Sequence, residues 1–386
     1  MANFQIRDKH NATVSFPELF FDLIYVFAVT QISHYLLHHL TLNGALQALE
    51  LWFATWLVWQ YTAWVTNWFE PDTRKFRLML FAMMLVGLFY SAALPGAFAG
   101  RGLVFALLYV VMQVGRAFTV MKFAEAGLPL TKNLRRIFIW LCISALFWMG
   151  GGLAEGNMRM LLWGIAILCE YGSPMLGFWL PVLGRSDSLT EWSISGHHLA
   201  ERCQLFVIVA LGEIIVMTGS ALYDIEPWSA PVIISALVAF ASCLTMWWIY
   251  FDASSGKASH IISQTNDPGK LGAKFHYIHV LLVGALIVTA VGIELTIAHP
   301  DARIEMTAAL VLFGGPVGYL AANGLFRKTL HGRFPRSHAI GLLLLILLLA
   351  VSGVTDRLMI SGLIAAVLIA VAVWESYCVS EDEKIA

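Results

Sequence analysis

The stretch from Phe16 to Tyr35, FPELFFDLIYVFAVTQISHY, is an apolar run that carries two acids, Glu18 and Asp22. A charged side chain at the centre of a membrane helix costs about 2.5–3.5 kcal/mol on insertion scales, so such a residue faces protein or a water-filled cavity. At about 100° per residue Glu18, Asp22, Val29 and Ser33 share one stripe with Tyr25 at its edge, and that stripe is expected to point inward. A second stretch, HHLAERCQLFVIVALGEIIVMTG, is equally anomalous. Glu201, Ile208, Gly212, Ile215 and Gly219 share one of its faces, where the glycines permit close helix approach, while His198, Arg202, Val209 and Glu213 share a neighbouring face. Arg116, in LYVVMQVGRAFTV, is a third charge inside an apolar run.

Glu18, Asp22 and Glu201 are expected at similar depth, where with Arg116 and Arg202 they form a network of net charge −1. Arg202 and Glu213 are separated by roughly 16 Å of helix, so each needs a partner elsewhere. Glu213, Glu50 and Glu170 lie deeper, and Gln60, Gln113, Asn323 and Thr30 add uncharged polar positions. Acids spaced through the membrane are what a proton or cation route requires; the other role for the same residues is to lock helices together. His34/His38, His276/His279 and His197/Glu201 have the spacing of two ligands on one helix, but no third ligand accompanies them, and no metal, haem or other cofactor is expected. The five cysteines lack metal or redox spacing and read as small core residues. The Trp-rich run containing Trp52, Trp56, Trp59, Trp64 and Trp68 reads as interfacial belt and helix packing.

The elements that position these residues follow from composition. The chain has 386 residues, 59% hydrophobic and 13% charged, and a mean hydropathy of +0.74, which places it among polytopic membrane proteins. A net charge of −1 without a long basic run argues against a nucleic-acid partner. No apolar core with a small-residue cleavage site occurs at the start, so the first helix is expected to stay. Apolar runs near 16–37, 44–68, 77–95, 102–123, 134–152, 159–183, 199–221, 228–251, 271–298, 305–326, 337–355 and 358–378 predict an all-α fold of twelve transmembrane helices. Pro174 and Pro181 are candidate breaks in the sixth. Counted by alternate loops, eighteen Lys and Arg fall on one side and only Arg101, Arg159, Arg303 and Arg357 on the other, which puts both termini in the cytoplasm. Asn11-Ala12-Thr13 matches a glycosylation sequon on that cytoplasmic side and is read as accidental.

The two halves, 1–185 and 186–386, carry a weak ordered repeat within one integrated membrane domain. Glu18 matches Glu201, Trp64 through Glu70 matches Trp247 through Asp252, Lys75-Phe76 matches Lys274-Phe275, and Val114-Gly115 matches Val317-Gly318. Six spans per half give both halves one orientation, related by an axis along the membrane normal.

Pro17-Glu18-Leu19-Phe20-Phe21-Asp22-Leu23-Ile24-Tyr25-Val26-Phe27-Ala28-Val29-Thr30 resembles a signature of the bacterial low temperature requirement A (LtrA) family. His198-Leu199-Ala200-Glu201-Arg202, with Leu205-Phe206 and Leu211-Gly212-Glu213, resembles its second signature, and the resemblance covers essentially the whole chain. It implies a multi-pass protein of the bacterial inner membrane linked by name to growth in the cold, without a known reaction. Phe20-Phe21-Asp22 is also weakly similar to the Phe-Ser-Asp signature of TMEM175-type potassium channels, with Phe21 in place of the serine and no match in the second half.

The leading expectation is a transport or ion-permeation protein with Glu18, Asp22, Arg116, Glu201, Arg202 and Glu213 as its polar core and Glu50, Glu170 and His198 as secondary polar residues. Its partners would be the lipid bilayer and a small solute or cation, and self-association is open. The alternatives are an enzyme acting on a lipid at the cytoplasmic leaflet, with Arg202 holding a phosphate, and a non-catalytic scaffold. The sequence contains no nucleophile motif, phosphate loop or strong metal set that would favour the enzyme. Reporter fusions placed after His299 and after Ala386 are expected to report opposite sides of the membrane; the same side for both would overturn the helix count.

Overall fold

The computed structural model describes residues 4–8, 12–125, 127–192, 194–252 and 267–385. The sequon residue Asn11, the counted cations Lys9 and Lys257, and the side chains of Cys378 and Lys384 lie outside what is described. Twelve helices follow one another among the described residues, and no β-strand does. They are α1 (Phe16–His38), α2 (Leu42–Trp68) and α3 (Arg74–Ala93), α4 (Gly102–Phe123), α5 (Pro129–Leu153), α6 (Gly156–Met175), α7 (Gly196–Tyr223), α8 (Ala230–Tyr250), α9 (Pro268–Ala298), α10 (Met306–His331), α11 (Arg336–Val351) and α12 (Arg357–Ile385). Ten of them are long and apolar enough to cross a membrane; α2 and α6 are not apolar enough. The cause is visible in α2, where every residue from Ala54 to Trp68 is buried in protein, so Thr55, Gln60, Thr62, Thr66 and Asn67 never meet lipid. Its tryptophans belong to packing rather than to a belt, since Trp56 and Trp59 are wholly buried.

The sixth apolar run is shorter as a helix than expected. Pro174 lies in the last turn of α6, Gly177 follows with φ of +62°, and Phe178 N–H closes the end on the Ser173 carbonyl at 2.7 Å. α4 stays continuous but contains one π turn, Val111–Gly115, immediately before Arg116. Such turns concentrate at functional positions because the extra residue re-aims the side chains beyond it.

The helices form two compact units. The first comprises the described parts of Met1–Tyr35, Leu42–Arg202 and Ile262–His276. Its N-terminal segment lies over the end of α2: Ile6 bridges Phe69, Arg7 N–H donates to the Trp68 carbonyl at 3.1 Å, and Phe4 packs on Phe69, Phe76 and Phe123. Arg159 holds another end of this unit. Buried on α6, it donates to the carbonyls of Ala97 and Ala99 at 2.8 Å and of Gly151 and Ala154 at 3.2 and 3.0 Å, joining the α3–α4 turn to the end of α5. Gly102 beside it has no room for a side chain, because a Cβ there would lie 2.6 Å from the guanidinium nitrogens.

The second unit comprises the described parts of Leu36–Thr41, Cys203–Ile261 and Tyr277–Ala386. Here α8 packs on α12, and α10, α11 and α12 on one another. A buried polar cluster ties the last three: Glu375 of α12 accepts from Arg327 of α10 and from Ser337 of α11, while His338 Nε2 lies 2.9 Å from Asn323 Oδ1.

Arg159→Gln is expected to lower stability by at least roughly 3 kcal/mol, because it strips donors from four carbonyls. The exposed Arg101→Gln should stay within about 1 kcal/mol. Thermal melting in detergent checks both.

Candidate functional site

Four charged side chains of the first unit meet at the start of α1 and of α7. Ser15 precedes α1, and Ser15-Phe16-Pro17-Glu18 has the spacing of a capping box and makes its return half: the Ser15 N–H and hydroxyl both donate to Glu18 Oε2 at 2.9 Å, while the Glu18 N–H donates to the Ser15 carbonyl at 3.1 Å. The same carboxylate oxygen accepts from Arg7 Nη1 at 3.1 Å, and its other oxygen lies 2.7 Å from His198 Nε2. Arg7 also donates to backbone, Nη1 to the Thr66 carbonyl at 2.7 Å and Nη2 to that of Thr13.

Asn67 decides the form of His198. Its carboxamide is oriented by a two-way pairing with Ser195, accepting from the Ser195 N–H and donating to the Ser195 carbonyl, both at 2.9 Å. The same Nδ2 donates to His198 Nδ1 at 3.0 Å, so Nδ1 is an acceptor and the ring proton sits on Nε2, facing Glu18. His198 is therefore neutral, and the two hydrogens of Arg7 Nη1 are filled by Glu18 and Thr66, which leaves its 3.0 Å approach to Nε2 as a contact between donors. Charge in this group cancels: Arg7 and Arg202 against Glu18 and Asp22.

One turn further on, Arg202 Nη2 donates to Asp22 Oδ1 at 2.8 Å, the indole N–H of Trp59 donates to the same oxygen at 2.9 Å, and the guanidinium lies 5.5 Å from the Trp59 ring centre. Both pairs, Glu18 with His198 and Asp22 with Arg202, join residues 180 apart in sequence. A constant difference means that the first turns of α1 and α7 run parallel and in register; antiparallel helices would keep the sum constant instead.

The two carboxylates differ in completion. Both oxygens of Glu18 are filled, and the residue is fully buried. Asp22 is 4% exposed and Arg202 fully buried, yet Asp22 Oδ2 and Arg202 Nε and Nη1 have no hydrogen-bond partner among the described residues. Buried polar groups left in this state are costly, so these atoms keep hydrogen-bonding capacity that the described protein groups do not use.

The other expected residues fall elsewhere. Glu201 is half-buried and accepts from the Val14 N–H at 2.9 Å, steadying the chain before α1. Arg116 does not join the acids of α1 as expected: the π turn aims it at the Val58 carbonyl (3.1 Å), Thr62 Oγ1 (3.0 Å) and Gln113 Oε1. Gln113 Nε2 in turn donates to Glu170 at 2.7 Å, and Tyr109, Ser144 and Trp148 supply three more donors to that carboxylate. Arg116 is thus balanced by Glu170 through an amide rather than by direct contact. Glu50 is half-buried on α2, with Oε1 against Gly164 of α6. Glu213 is buried on α7 in the second unit.

Sequence reasoning treated Arg7 as a loop charge and Trp59 as packing, and it passed over Asn67. The Ser-x-x-Glu spacing and a proline in the first turn were the available signal for the cap on which Arg7 converges.

The family model for bacterial low temperature requirement A proteins (LtrA) matches residues 13–373. The chain belongs to that family. It is also 37% identical over 364 residues to an uncharacterized protein of Rhizobium meliloti (strain 1021), covering 94% of this chain and 88% of that one. No solved structure matches it. Both family signatures read from the sequence lie on this site: the first carries Glu18 and Asp22, the second His198, Glu201 and Arg202.

Glu18→Gln leaves the Arg7 charge buried without its counter-ion and loosens the cap, so it is expected to reduce stability by about 3–5 kcal/mol. Melting temperature and the yield of folded protein in the membrane measure this, and an unchanged protein would show that Glu18 is not the lock.

Proposed function

We propose that this member of the family is a transport or ion-permeation protein of the bacterial inner membrane in which Asp22 and Arg202 form the working pair. The observation that carries the reading is the contrast described above: Glu18 is saturated by its own protein, whereas the buried Asp22–Arg202 pair keeps an acceptor and two donors open. Such a pair can exchange its internal contact for a proton or a small cation on Asp22 without breaking the fold, because Glu18, His198, Asn67 and Arg7 hold α1 and α7 together beside it. Intramembrane ionisable residues that face the interior are, by their energetic cost, the usual markers of such routes.

We further infer twelve spans with both termini in the cytoplasm, in two six-helix halves of like orientation. At 27 and 20 residues, α2 and α6 reach about 40 and 30 Å, enough for a hydrocarbon core of about 30 Å. Parallel α1 and α7 require an odd number of crossings between them, which the five helices α2–α6 supply. Two internal parallels favour the repeat. Arg116 and Tyr319, one residue beyond the matched Val-Gly pairs, each donate to a backbone carbonyl on the second helix of their half, Val58 and Met246. Glu170 and Glu375, on the sixth and twelfth helices, each accept from a serine on the preceding helix.

The test is the double variant Asp22→Asn with Arg202→Gln, which removes both charges together and strands neither. It should accumulate and melt near the wild-type protein while failing to support growth at low temperature in a strain lacking its own family member. In proteoliposomes it should also lose proton or alkali-cation flux, read with a pH-sensitive dye and a potential-sensitive dye. Retained growth and flux would end the reading.

A further inference from the structure

A cavity of about 30 Å³ lies in the first unit between α2, α5, α6, the start of α9 and the segment that joins α6 to α7. Water needs about 10–15 Å³, so there is room for one or two molecules of that size and for little else. Aromatic rings make up much of the wall. Trp68, Trp64, Trp192 and Phe178 follow one another with ring centres 5.7, 5.6 and 5.6 Å apart, close enough to touch, so no further ring slots between them. No charged side chain lines the cavity among the described residues.

The polar hydrogens along this wall can be followed one at a time. Trp64 Nε1 donates to His276 Nδ1 at 2.9 Å, and Trp192 Nε1 to Ser186 Oγ at 2.8 Å. Tyr61 donates to the Glu170 carbonyl at 3.3 Å, an oxygen that Pro174, one turn on and without an N–H, cannot serve. Two lining groups stay open: Trp68 Nε1 and both polar atoms of the Asn133 carboxamide are buried without a hydrogen-bond partner among the described residues. Asn133 is wholly buried one turn inside α5, where asparagine is a poor helix former. A carboxamide buried with nothing on its oxygen or its nitrogen is costly, and a group that satisfies it has to both donate and accept. The two atoms share one carbon, so a single small molecule reaches both, whatever the spacing of the other lining groups. A cation would meet the amide nitrogen as well as the oxygen, and an anion the reverse; water matches both.

We propose that this cavity is a hydration site, with one or two ordered waters anchored on the Asn133 carboxamide. Its position gives those waters a role, which rests on the transport reading. The α2 side of the lining runs from Trp68, the last residue of the helix, inward to Gln60, roughly 12 Å away along the axis. Gln60 follows Trp59, whose indole N–H holds Asp22, and Gln60 Oε1 accepts from Trp56, whose ring centre lies 4.7 Å from that of Trp59. The waters are then the aqueous station between the end of α2 and the level of Asp22.

The experiment irradiates the full-length protein in detergent with short X-ray pulses and locates oxidised side chains by peptide mass spectrometry, since radicals formed from a bound water modify its neighbours where bulk solvent does not reach. Trp68, 5% exposed, should be oxidised several-fold faster than Trp148 and Trp163, whose N–H groups are taken by Glu170 at 2.9 Å and by the Trp148 carbonyl at 3.0 Å. In Asn133→Leu no described protein group loses a hydrogen bond, so the variant should accumulate and melt near the wild type while Trp68 slows to the rate of Trp163. A wild-type Trp68 as slow as Trp163 would mean a dry cavity, a result that needs no variant, and a fast Trp68 unchanged in Asn133→Leu would place the water elsewhere; either overturns the hydration site. Proton flux in proteoliposomes tests the role separately. It should slow several-fold in Asn133→Leu, and flux at the wild-type rate in a variant that has lost the label would remove these waters from the route while the site itself stands. Wild-type protein without flux would end the transport reading and the role together, and the label would still decide the water.

Discussion

Four ionisable groups drawn into an apolar fold must be neutralised within it, and the parallel pairing of α1 with α7 does this. Each helix brings its polar residues in its first two turns, and the two sets interlock with one offset, acid on α1 against histidine or arginine on α7. Any shift of one helix along the other would separate both pairs at once. Burial of unpaired charge is costly enough to make that register stringent. The N-terminal segment follows from the same need: its bridge to the end of α2 and its phenylalanine contacts place Arg7, which compensates Glu18.

Within this arrangement equivalent chemistry is used in two ways. Glu18 has every oxygen occupied and acts as mortar. Asp22, one turn along the same helix, is met by one arginine nitrogen and one indole and keeps an oxygen open. The difference comes from neighbours rather than residue type. Glu18 sits at a helix start, where backbone N–H groups and a serine are at hand, while Asp22 lies beyond them and depends on Trp59 and Arg202. Arg116 and Glu170 show a third solution, in which an amide stands between opposite charges and each is surrounded by neutral partners. The Arg327–Glu375 pair of the second unit is direct, with a serine and a histidine at its side.

The reach of the sequence follows the range of the forces involved. Apolar runs and their Pro and Gly punctuation are local, so helix ends were legible to within about five residues, apart from the sixth, which Pro174 and Gly177 end early, and the twelfth, whose helix runs on to Ile385; ten of the helices have the length and apolarity of a membrane span. Glu18, Asp22 and Arg202 were legible as residues in need of partners, because the cost of charge in hydrocarbon does not depend on the fold. Their partners were not legible, since a partner is a matter of which helices lie side by side. Arg7 looked like an ordinary loop cation, and Trp59 was one tryptophan among fourteen. α2 falls short of the apolarity of a membrane span, as a helix enclosed by protein can. Composition and periodicity, which report each residue's relation to solvent, determined that this chain is a multi-pass helical protein carrying buried charge. Tertiary structure alone decided which acid is closed and which stays open, because that depends on donors brought together from distant parts of the chain.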